Sequence, residues 1–313
     1  MLSRVAERTY WLARYLERAE VTARLLLVRH LASLDLPREA QPQWTTLLDV
    51  LSVRAQFEAL PGKPTEDKLV RFLFIDRSNP SSIISSLTSV RENMRTTREV
   101  LPSEAWEQAN SLYLSVARRS GKGLPRSQRH SVLNNIIKAC QQITGMLSGT
   151  MSHDTAYQFM KTGRLLERVD MCSRFIDVGT EELLSGSEQF LPYQNVLWIS
   201  VLESLSAHQM YRLSMQSNVN PAQVIEFLIK DKNFPRALGF SIDELATSMS
   251  KLPGPDEALK PVQTARRRLE RYRVGRPSSE QAPANLHKFL DTVQRDMQRV
   301  HTAIDRTWFH PER

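Results

Sequence analysis

The chain has 313 residues, of which 41% are hydrophobic and 24% are charged, and it contains only 11 glycines. This composition is typical of a helix-rich globular protein and excludes a disordered chain. The formal charge of +8 favours an acidic partner or an anionic ligand, although an excess of this size is common among ordinary proteins. No apolar run approaches the roughly 20 residues that a membrane helix needs, so we expect no membrane span.

The first residues and the cysteines bear on the compartment. Residues 1–8 are charged throughout and lack the apolar middle of a secretory signal, which predicts a cytoplasmic protein. The cysteines, Cys140 and Cys172, belong to no CxxC motif and have no nearby pair of histidines. The pattern therefore predicts no zinc site and no disulfide, and we expect both thiols in the core.

A charged string near the start of the chain recurs 150 positions later. The first copy contains Arg14, Glu17, Arg18, Glu20 and Arg24, and the second contains Arg164, Glu167, Arg168, Asp170 and Arg174. An exposed ion pair contributes only about 0–1 kcal/mol, so surface charges vary freely, and five charges at one spacing indicate a constrained environment. The string predicts a tandem duplication and makes its Glu-Arg pairs the first functional candidates.

Two further blocks recur in the same order. Residues 44–52 align with 198–206 at an offset of about 154, and residues 72–80 align with 227–235 at an offset of about 155. The small drift in offset indicates a few inserted residues in connecting loops. We therefore expect two pseudo-symmetric helical repeats, 1–149 and 150–313, packed as one domain.

Helical periodicity is present along the whole chain. An apolar stripe with spacings of three and four predicts a first helix of about 28 residues. Further helices are predicted at 44–60, 68–75, 81–101, from 103, at 132–147, from 155, and at 192–215, 221–229, 235–252, 256–272 and 286–309. No stretch alternates polar and apolar residues as a strand does, so the predicted fold class is an all-α helical bundle. Residues 275–283 are predicted to form a loop.

The first Glu-Arg pair lies on a helix that is apolar on more than one side. Arg14, Glu17 and Arg18 form one patch on this helix, and Trp11 and Tyr15 border it. Such a helix is usually interior, so we expect these charges to be partly buried. An unpaired buried guanidinium costs several kcal/mol, so each arginine needs a carboxylate, backbone carbonyls or a bound anion.

A second basic feature follows Pro80. Arg91, Arg95 and Arg98 stand at i, i+4 and i+7 of the predicted helix 81–101 and predict a ridge that Glu17 or Glu167 faces. The aligned residues of the second half, 246–248, are Ala-Thr-Ser where the first half has Arg-Glu-Asn. Loss of one copy is consistent with a single recognition site. It is also consistent with a structural ion-pair network that diverged, which is the interpretation we favour.

Other signals point away from chemistry. His153 and Asp154 precede a helix and are interpreted as a cap rather than as a catalytic base. The chain has no Glu-x-x-His, no phosphate loop, no GxGxxG and no GxSxG, so no metal, cofactor or nucleotide hydrolysis is predicted. The basic run 266–273 has no interleaved aromatic residues, and it is expected to be a solvated helix face rather than a nucleic-acid surface.

Three motifs together resemble those of the bacterial alpha-E family. They are residues 10–20 with Glu17-Arg18, the motif Arg91-Glu92-Asn93-x-Arg95, and residues 151–154 leading to Gly163-Arg164-x-x-Glu167-Arg168-x-Asp170. The resemblance covers essentially the full chain. It implies a helical domain, named for its helices and its Glu-Arg motif, that accompanies ATP-grasp-type ligases and transglutaminase-like proteins in amide-bond formation on peptides. Carried over residue by residue, it points to Glu17, Arg18, Glu167 and Arg168, with Arg14, Arg164, Arg91, Glu92, Asn93 and Arg95 in support.

Three hypotheses for the function follow. The first is a non-catalytic binding protein whose Glu-Arg cluster holds a peptide carboxylate, a phosphate or a companion ligase. The second is an enzyme in which Glu17 or Glu167 acts as a general base and Arg18 or Arg168 stabilises an oxyanion, although the sequence shows no evident nucleophile. The third is a scaffold whose charges are wholly internal.

Overall fold

The computed structural model describes residues 3–37, 41, 43–119, 121–184, 192–275 and 282–310 of the chain. Within these ranges it contains helices and no strand, which confirms the all-α prediction. The helices are α1 (Ser3–Asp35), α2 (Thr46–Val50), α3 (Arg54–Glu58), α4 (Glu66–Phe74), α5 (Ile83–Arg95), α6 (Ser103–Ala117), α7 (Arg126–Thr150), α8 (Thr155–Leu184), α9 (Gln194–Ser204), α10 (His208–Met215), α11 (Pro221–Lys230), α12 (Leu238–Ser250), α13 (Asp256–Arg271) and α14 (Ala282–Ile304). None of these described helices is both long enough and apolar enough to cross a membrane.

The chain divides into two compact units. The first unit comprises Met1–Leu31 and Pro42–Arg164, and the second comprises Ala32–Gln41 and Leu165–Arg313. Within the first unit, α6 packs against both α5 and α7. Within the second unit, α13 packs against both α12 and α14. Each unit thus contains a helix that packs against the helix before it and the helix after it in the chain.

Side chains cap several helices where the sequence places them. The Asp154 carboxylate accepts the backbone N–H groups of Ala156 and Tyr157 at 2.9 and 3.2 Å, so the interpretation of this residue as a helix cap is confirmed. The hydroxyl of Ser82 does the same for Ser85 at the start of α5, at 3.2 Å. These bonds satisfy N–H groups that the first turn of a helix leaves without intrahelical partners.

Two helices that the periodicity predicts as continuous are each broken at a serine. The predicted helix 44–60 is α2 and α3, and the predicted helix 192–215 includes the separate helices α9 and α10. Ser52 and Ser206 adopt left-handed φ values of 55° and 54° at the breaks. At the first break the N–H of Val53 bonds to the Leu48 carbonyl at 2.9 Å, and the N–H of Ser52 bonds to the Asp49 carbonyl at 3.0 Å.

The second break repeats this pattern of bonds. The N–H of Ala207 reaches the Leu202 carbonyl at 2.7 Å, and the N–H of Ser206 reaches the Glu203 carbonyl at 2.9 Å. This pair of bonds defines the Schellman motif, which usually carries glycine or asparagine at the left-handed position. Serine there gives no helix-end signal, and this explains why the periodicity missed both breaks.

The helix after Pro80 is shorter than predicted. Helix α5 ends at Arg95, and Arg98 lies in a separate 3₁₀ turn, Arg98–Val100. The hydroxyl of Thr97 donates to the Asn93 carbonyl at 2.8 Å and so satisfies one of the last carbonyls of the helix. Residues 276–281 of the predicted loop 275–283 lie outside the described residues.

Candidate functional site

The first charged string lies on α1, and its two leading charges are withdrawn from solvent. Arg14 is 8% exposed and Glu17 is 3% exposed, whereas Arg18 is partly exposed. The guanidinium carbon of Arg14 lies 4.8 Å from the centroid of the Trp11 ring, and its Nη1 donates to the Tyr10 hydroxyl at 3.3 Å. Stacking on an aromatic face stabilises a guanidinium that has lost part of its water.

Arg18 repeats this arrangement one turn further along α1. Its guanidinium carbon lies 5.5 Å from the centroid of the Tyr15 ring, and the Tyr15 ring stacks on that of Trp11 at 5.4 Å. Two arginines that stand four residues apart would repel each other on a bare helix. Here each guanidinium lies over an aromatic ring, and the negative face of the ring stabilises its positive charge.

Glu20 and Arg24 continue the string toward α7. Their side chains form an ion pair of 2.7 Å, and the amide of Gln141 on α7 donates to Glu20 at 3.4 Å. The neighbouring Cys140 is fully buried, and burial together with the carboxylates of Glu20 and Glu17 holds the pKa of its thiol well above the ordinary value. Cys140 therefore lies in the core, as the sequence analysis predicts. Its raised pKa keeps the thiol protonated, so it is not an activated nucleophile.

The second charged string lies on α8. Glu167 is completely buried, and the guanidinium of Arg168 donates to the Pro235 carbonyl at 3.5 Å, at the connection between α11 and α12. Arg174 bonds to the Asp170 carboxylate with two nitrogens, at 3.1 and 3.2 Å. Asp170 and Arg174 thus form the same i, i+4 ion pair as Glu20 and Arg24 do on α1.

Gly163, which directly precedes the second charged string, lets the first part of α8 approach the backbone of α1 within the first unit. A Cβ atom at Gly163 would lie 2.2 Å from the carbonyl oxygen of Tyr10 on α1, a separation that real Cβ atoms do not show. The first part of α8 can therefore approach α1 this closely only because residue 163 has no side chain. This contact places Arg14 of α1 and Arg164 of α8 one helical turn or less from the crossing.

The motif Arg91-Glu92-Asn93-x-Arg95 divides into two separate sets of contacts. Glu92 and Arg95 pair with each other at 2.7 Å on the exposed side of α5, and the bond from Arg95 holds the pKa of the Glu92 carboxyl below its ordinary value. The backbone carbonyl of Asn93 accepts the hydrogen bond from the Thr97 hydroxyl at the end of α5. Arg91 turns the other way and donates from Nε to the Asn110 side chain of α6 at 2.7 Å.

The prediction that Arg91, Arg95 and Arg98 form one ridge along a single helix is wrong. Helix α5 ends at Arg95, so Arg98 is not at its i+7 position. Arg91 and Arg98 contact side chains of α6, and Arg95 pairs with Glu92 on α5 itself.

The arginines instead form an arginine–aromatic surface with one face of α6. We use this name for Arg77, Arg91, Arg98, Trp106, Asn110 and Tyr113. The guanidinium carbon of Arg98 lies 4.2 Å from the Trp106 ring centroid, and that of Arg91 lies 5.9 Å from Trp106 and 5.2 Å from Tyr113. Arg77 donates to the hydroxyl of Tyr113 at 3.4 Å. Trp106, Asn110 and Tyr113 stand at i, i+4 and i+7 of α6 and so share one face.

This surface can bind an anion. The Nε of Arg91 is used by Asn110, which leaves both of its terminal nitrogens as donors, and Arg98 is exposed. A guanidinium that stacks on a ring keeps its planar edge of N–H groups free to meet a carboxylate or phosphate in bidentate fashion. The aromatic rings also restrict the arginine rotamers, which lowers the entropy lost on binding.

The sequence interpretation missed Arg129, a buried arginine that lies on α7. Its side chain is 1% exposed and pairs with Glu66 and, at 2.6 Å, with Asp67, both on α4. Its Nε donates to the Leu124 carbonyl at 3.3 Å, and its guanidinium carbon lies 5.7 Å from the Trp44 ring centroid. The sequence near Arg129 gives one signal of its burial. Val132 and Leu133 of the apolar stripe follow it by three and four residues, so Arg129 lies on the same face of α7.

The weaker candidates have structural roles. The His153 ring nitrogen bonds to the Ser148 carbonyl at 3.0 Å, and the ring stacks on Tyr157 with centroids 3.8 Å apart. Within the part of the chain that the structure describes, no three His, Cys, Asp or Glu side chains are grouped so as to hold a metal ion.

Comparisons with known proteins show that the model of one protein family matches nearly the whole chain. The model of the Alpha-E family, whose description is a predicted alpha-helical domain with a conserved ER motif, matches residues 1–309. Uncharacterized proteins of Mycobacterium bovis and Mycobacterium tuberculosis are each 21% identical to the chain, over 97% of this chain and 36% of their own length. The chain thus spans about a third of the length of these relatives. No solved structure matches it.

Proposed function

The chain belongs to the Alpha-E family, and from this premise we propose that it is a non-catalytic helical binding protein that presents an anion-binding surface to a catalytic partner. The observation that carries the proposal is the position of the guanidinium groups of Arg98 and Arg91 over the Trp106 ring, at 4.2 and 5.9 Å from its centroid. Two guanidinium groups held over one ring offer a preformed pair of forks for a carboxylate or a phosphate.

The Glu-Arg pairs have a different part in this proposal. Arg14 and Glu17 on α1 and Glu167 on α8 are buried, so we assign them an internal structural role, each within its own unit. Burial of a charge is costly unless it is paired. The recognition groups are then the half-buried Arg91 and the exposed Arg98, while Arg18 and Arg168 are partly exposed.

The catalytic partner follows from the family resemblance. The resemblance implies an ATP-grasp-type ligase and a transglutaminase-like protein that act on peptides, and we propose the ligase as the protein whose anionic group the surface holds. The relatives are consistent with a joint arrangement, because about two thirds of their length lies outside the part that matches this chain.

We also propose that residues 1–149 and 150–313 are tandem copies of one helical repeat, whose bounds differ from those of the two compact units. Two features support this: the left-handed serines, Ser52 and Ser206, have the same pattern of hydrogen bonds, and the ion pairs Glu20–Arg24 and Asp170–Arg174 share one spacing. The side chains of Asp76 and Asp231 likewise accept the N–H two residues later, at 2.9 and 2.8 Å, in the turns that follow α4 and α11. Similar turns at similar offsets are what a duplication predicts.

The test of the binding surface is a double substitution, Arg91→Gln with Arg98→Gln. Binding of an ATP-grasp-type ligase of the same organism, measured by isothermal titration calorimetry, is expected to weaken by about tenfold or more, since two charge-assisted contacts are lost. The melting temperature should stay within about 2 °C, because Arg98 is exposed and Arg91 is half-buried on the surface of the helix pair.

The matched control is Arg118→Gln, which removes an exposed arginine from the end of α6 outside the surface. The control should bind as the unsubstituted chain does. Unchanged binding by the double variant would reject the surface, and a large fall in melting temperature would instead support a scaffold. Turnover of a peptide by the purified chain alone would show that the protein is catalytic.

A further inference from the structure

A cavity of about 620 Å³ lies between the starts of α4 and α7 in the first unit. The residues that line it are Thr65, Glu66, Asp67, Arg71, Lys122, Gly123, Leu124, Pro125 and Arg126. None of them belongs to the arginine–aromatic surface or to the charged strings. The volume is in the range of sites that hold small organic molecules, which is several times the volume of a single anion.

The charges around the cavity are unequal. Its lining has three cations, Arg71, Lys122 and Arg126, and two carboxylates, Glu66 and Asp67. Both carboxylates pair with the buried Arg129, so that four cations and two anions give the region a net charge of +2. Pairing with Arg129 also offsets part of the negative charge of the two carboxylates, which weakens their repulsion of an anion in the cavity.

Two of these cations have open donors. Among the described residues, the side chains of Arg71 and Lys122 are exposed and take part in no hydrogen bond or ion pair. Thr65 adds a hydroxyl group, whose oxygen already accepts the N–H of Lys68 at 3.2 Å and whose proton remains available. Leu124 and Pro125 form an apolar part of the lining beside these donors.

We propose that this cavity binds a small organic phosphate monoester. The phosphate dianion would meet the guanidinium of Arg71, the ammonium of Lys122 and the hydroxyl of Thr65, and its charge would balance the net +2 of the region. The organic group would lie against Leu124 and Pro125 in the remaining volume. The buried Arg129 would act as a positioning residue, because it pairs with Glu66 and Asp67 of the lining.

The test is calorimetric titration of the full chain with glycerol 3-phosphate at constant ionic strength. Saturable binding with one site per chain is expected, and the melting temperature should rise with ligand concentration because the ligand binds only the folded state. The double variant Arg71→Gln with Lys122→Gln should bind about tenfold more weakly or worse, as expected when two charge-assisted contacts are removed. Inorganic phosphate should compete, and it should bind more weakly than the ester because it lacks the organic group.

Two controls separate this site from general attraction of anions. Lys138→Gln removes an exposed lysine of α7 outside the cavity lining, and Arg91→Gln alters the other proposed surface; both should bind glycerol 3-phosphate as the unsubstituted chain does. The proposal is overturned if no saturable binding occurs, if succinate binds as tightly as the phosphate ester, or if the double variant retains full affinity. Because the double variant loses two exposed side chains, its melting temperature should match the unsubstituted chain.

Discussion

Each unit contains a buried charged side chain that lies between two oppositely charged partners, and the sign of the buried charge differs between the units. In the first unit the buried group is Arg129 on α7, which lies between Glu66 and Asp67 of α4. In the second unit it is Asp296 on α14, which accepts from Arg268 of α13 at 2.8 Å and from Arg299 at 3.0 Å. Asp296 is 1% exposed, whereas the side chains of Arg268 and Arg299 are 38% and 65% exposed.

The difference shows that packed helices can bury a charge of either sign. In both sites the central charged side chain is buried, and its two partners remain partly or largely exposed to water. An outer partner removed singly can be replaced in part by water, whereas removal of both leaves the centre without compensation. Substitutions at these positions test whether the two sites contribute differently to the free energy of unfolding.

The largest effect is expected when Arg129 is left without its carboxylates. The double variant Glu66→Gln with Asp67→Asn should lose about 3–5 kcal/mol of unfolding free energy, because a buried guanidinium cannot give up its charge. Urea unfolding measures this loss. Adding Arg129→Met should recover most of it, since a buried charge is replaced by an apolar side chain of similar length. If the third substitution instead adds to the loss, the buried cation is not the source of the cost.

The corresponding double variant in the second unit should cost less. Arg268→Gln with Arg299→Gln leaves Asp296 buried, and we expect a loss of about 2–4 kcal/mol near pH 7. A guanidinium has five N–H donors, so it leaves more hydrogen-bonding groups unsatisfied than the two oxygens of a carboxylate do. Urea unfolding measures the loss, and adding Asp296→Asn should recover part of it, because the uncompensated buried charge is removed. A further loss in the triple variant would contradict this account.

A smaller loss is expected from Gly163→Ala. Position 163 corresponds to Ala13 at the offset of 150 residues, so the substitution introduces the residue that precedes the first charged string. The new methyl group would collide with the Tyr10 carbonyl oxygen, and the helices must separate, which should cost about 1–3 kcal/mol of unfolding free energy. Gly145→Ala on α7 is the matched control, because its Cβ meets nothing within 4 Å. That control should stabilise the protein by up to about 1 kcal/mol.

The smallest effect concerns His30 on α1, beside the buried cation of the first unit. Burial, followed by the charges of Arg129 and Arg126, holds the pKa of His30 below its ordinary value of 6.5, while Glu66 acts in the opposite direction and His130 adds to the lowering. A lowered pKa in the folded state means that the unfolded chain takes up the proton first. Stability should be complete above pH 6.5 and should fall as the pH drops through the folded pKa.

Chemical denaturation between pH 7.5 and 5.5 measures this dependence. The variant His30→Gln should have a weaker fall in stability across this range. In the single variant Arg129→Met, which keeps Glu66, the pKa of His30 read from its ring NMR signals should rise toward 6.5, because one source of the lowering is gone. An unchanged pKa there would mean that Arg129 does not act on His30.

Helix positions could be predicted from sequence because the relevant signals are local. Apolar spacing, the cap at Asp154 and the prolines before several helices all act within a few residues, and most helix bounds follow from them. The breaks at Ser52 and Ser206 could not be predicted in this way, because the left-handed conformation of a serine is supported by packing rather than by residue type.

The candidate site shows the same division. The Glu-Arg strings are visible in the sequence because the second copies the first at one spacing. Arg129 carries no such signal, since its partners Glu66 and Asp67 are 63 and 62 residues away. The stacking of Arg98 on Trp106 is also invisible, because it depends on α5 ending at Arg95 and on the turn that follows.

The amino-acid sequence by itself determined that this protein is all-helical, where most of its helices lie, and which charged residues recur. Only the tertiary structure decided which of those charges are buried, which arginines stack on α6 and where a cavity opens beside α4. The physical reason is range. Helix formation depends on neighbours within one or two turns, whereas the burial and pairing of a charge depend on side chains that meet only after the helices have packed.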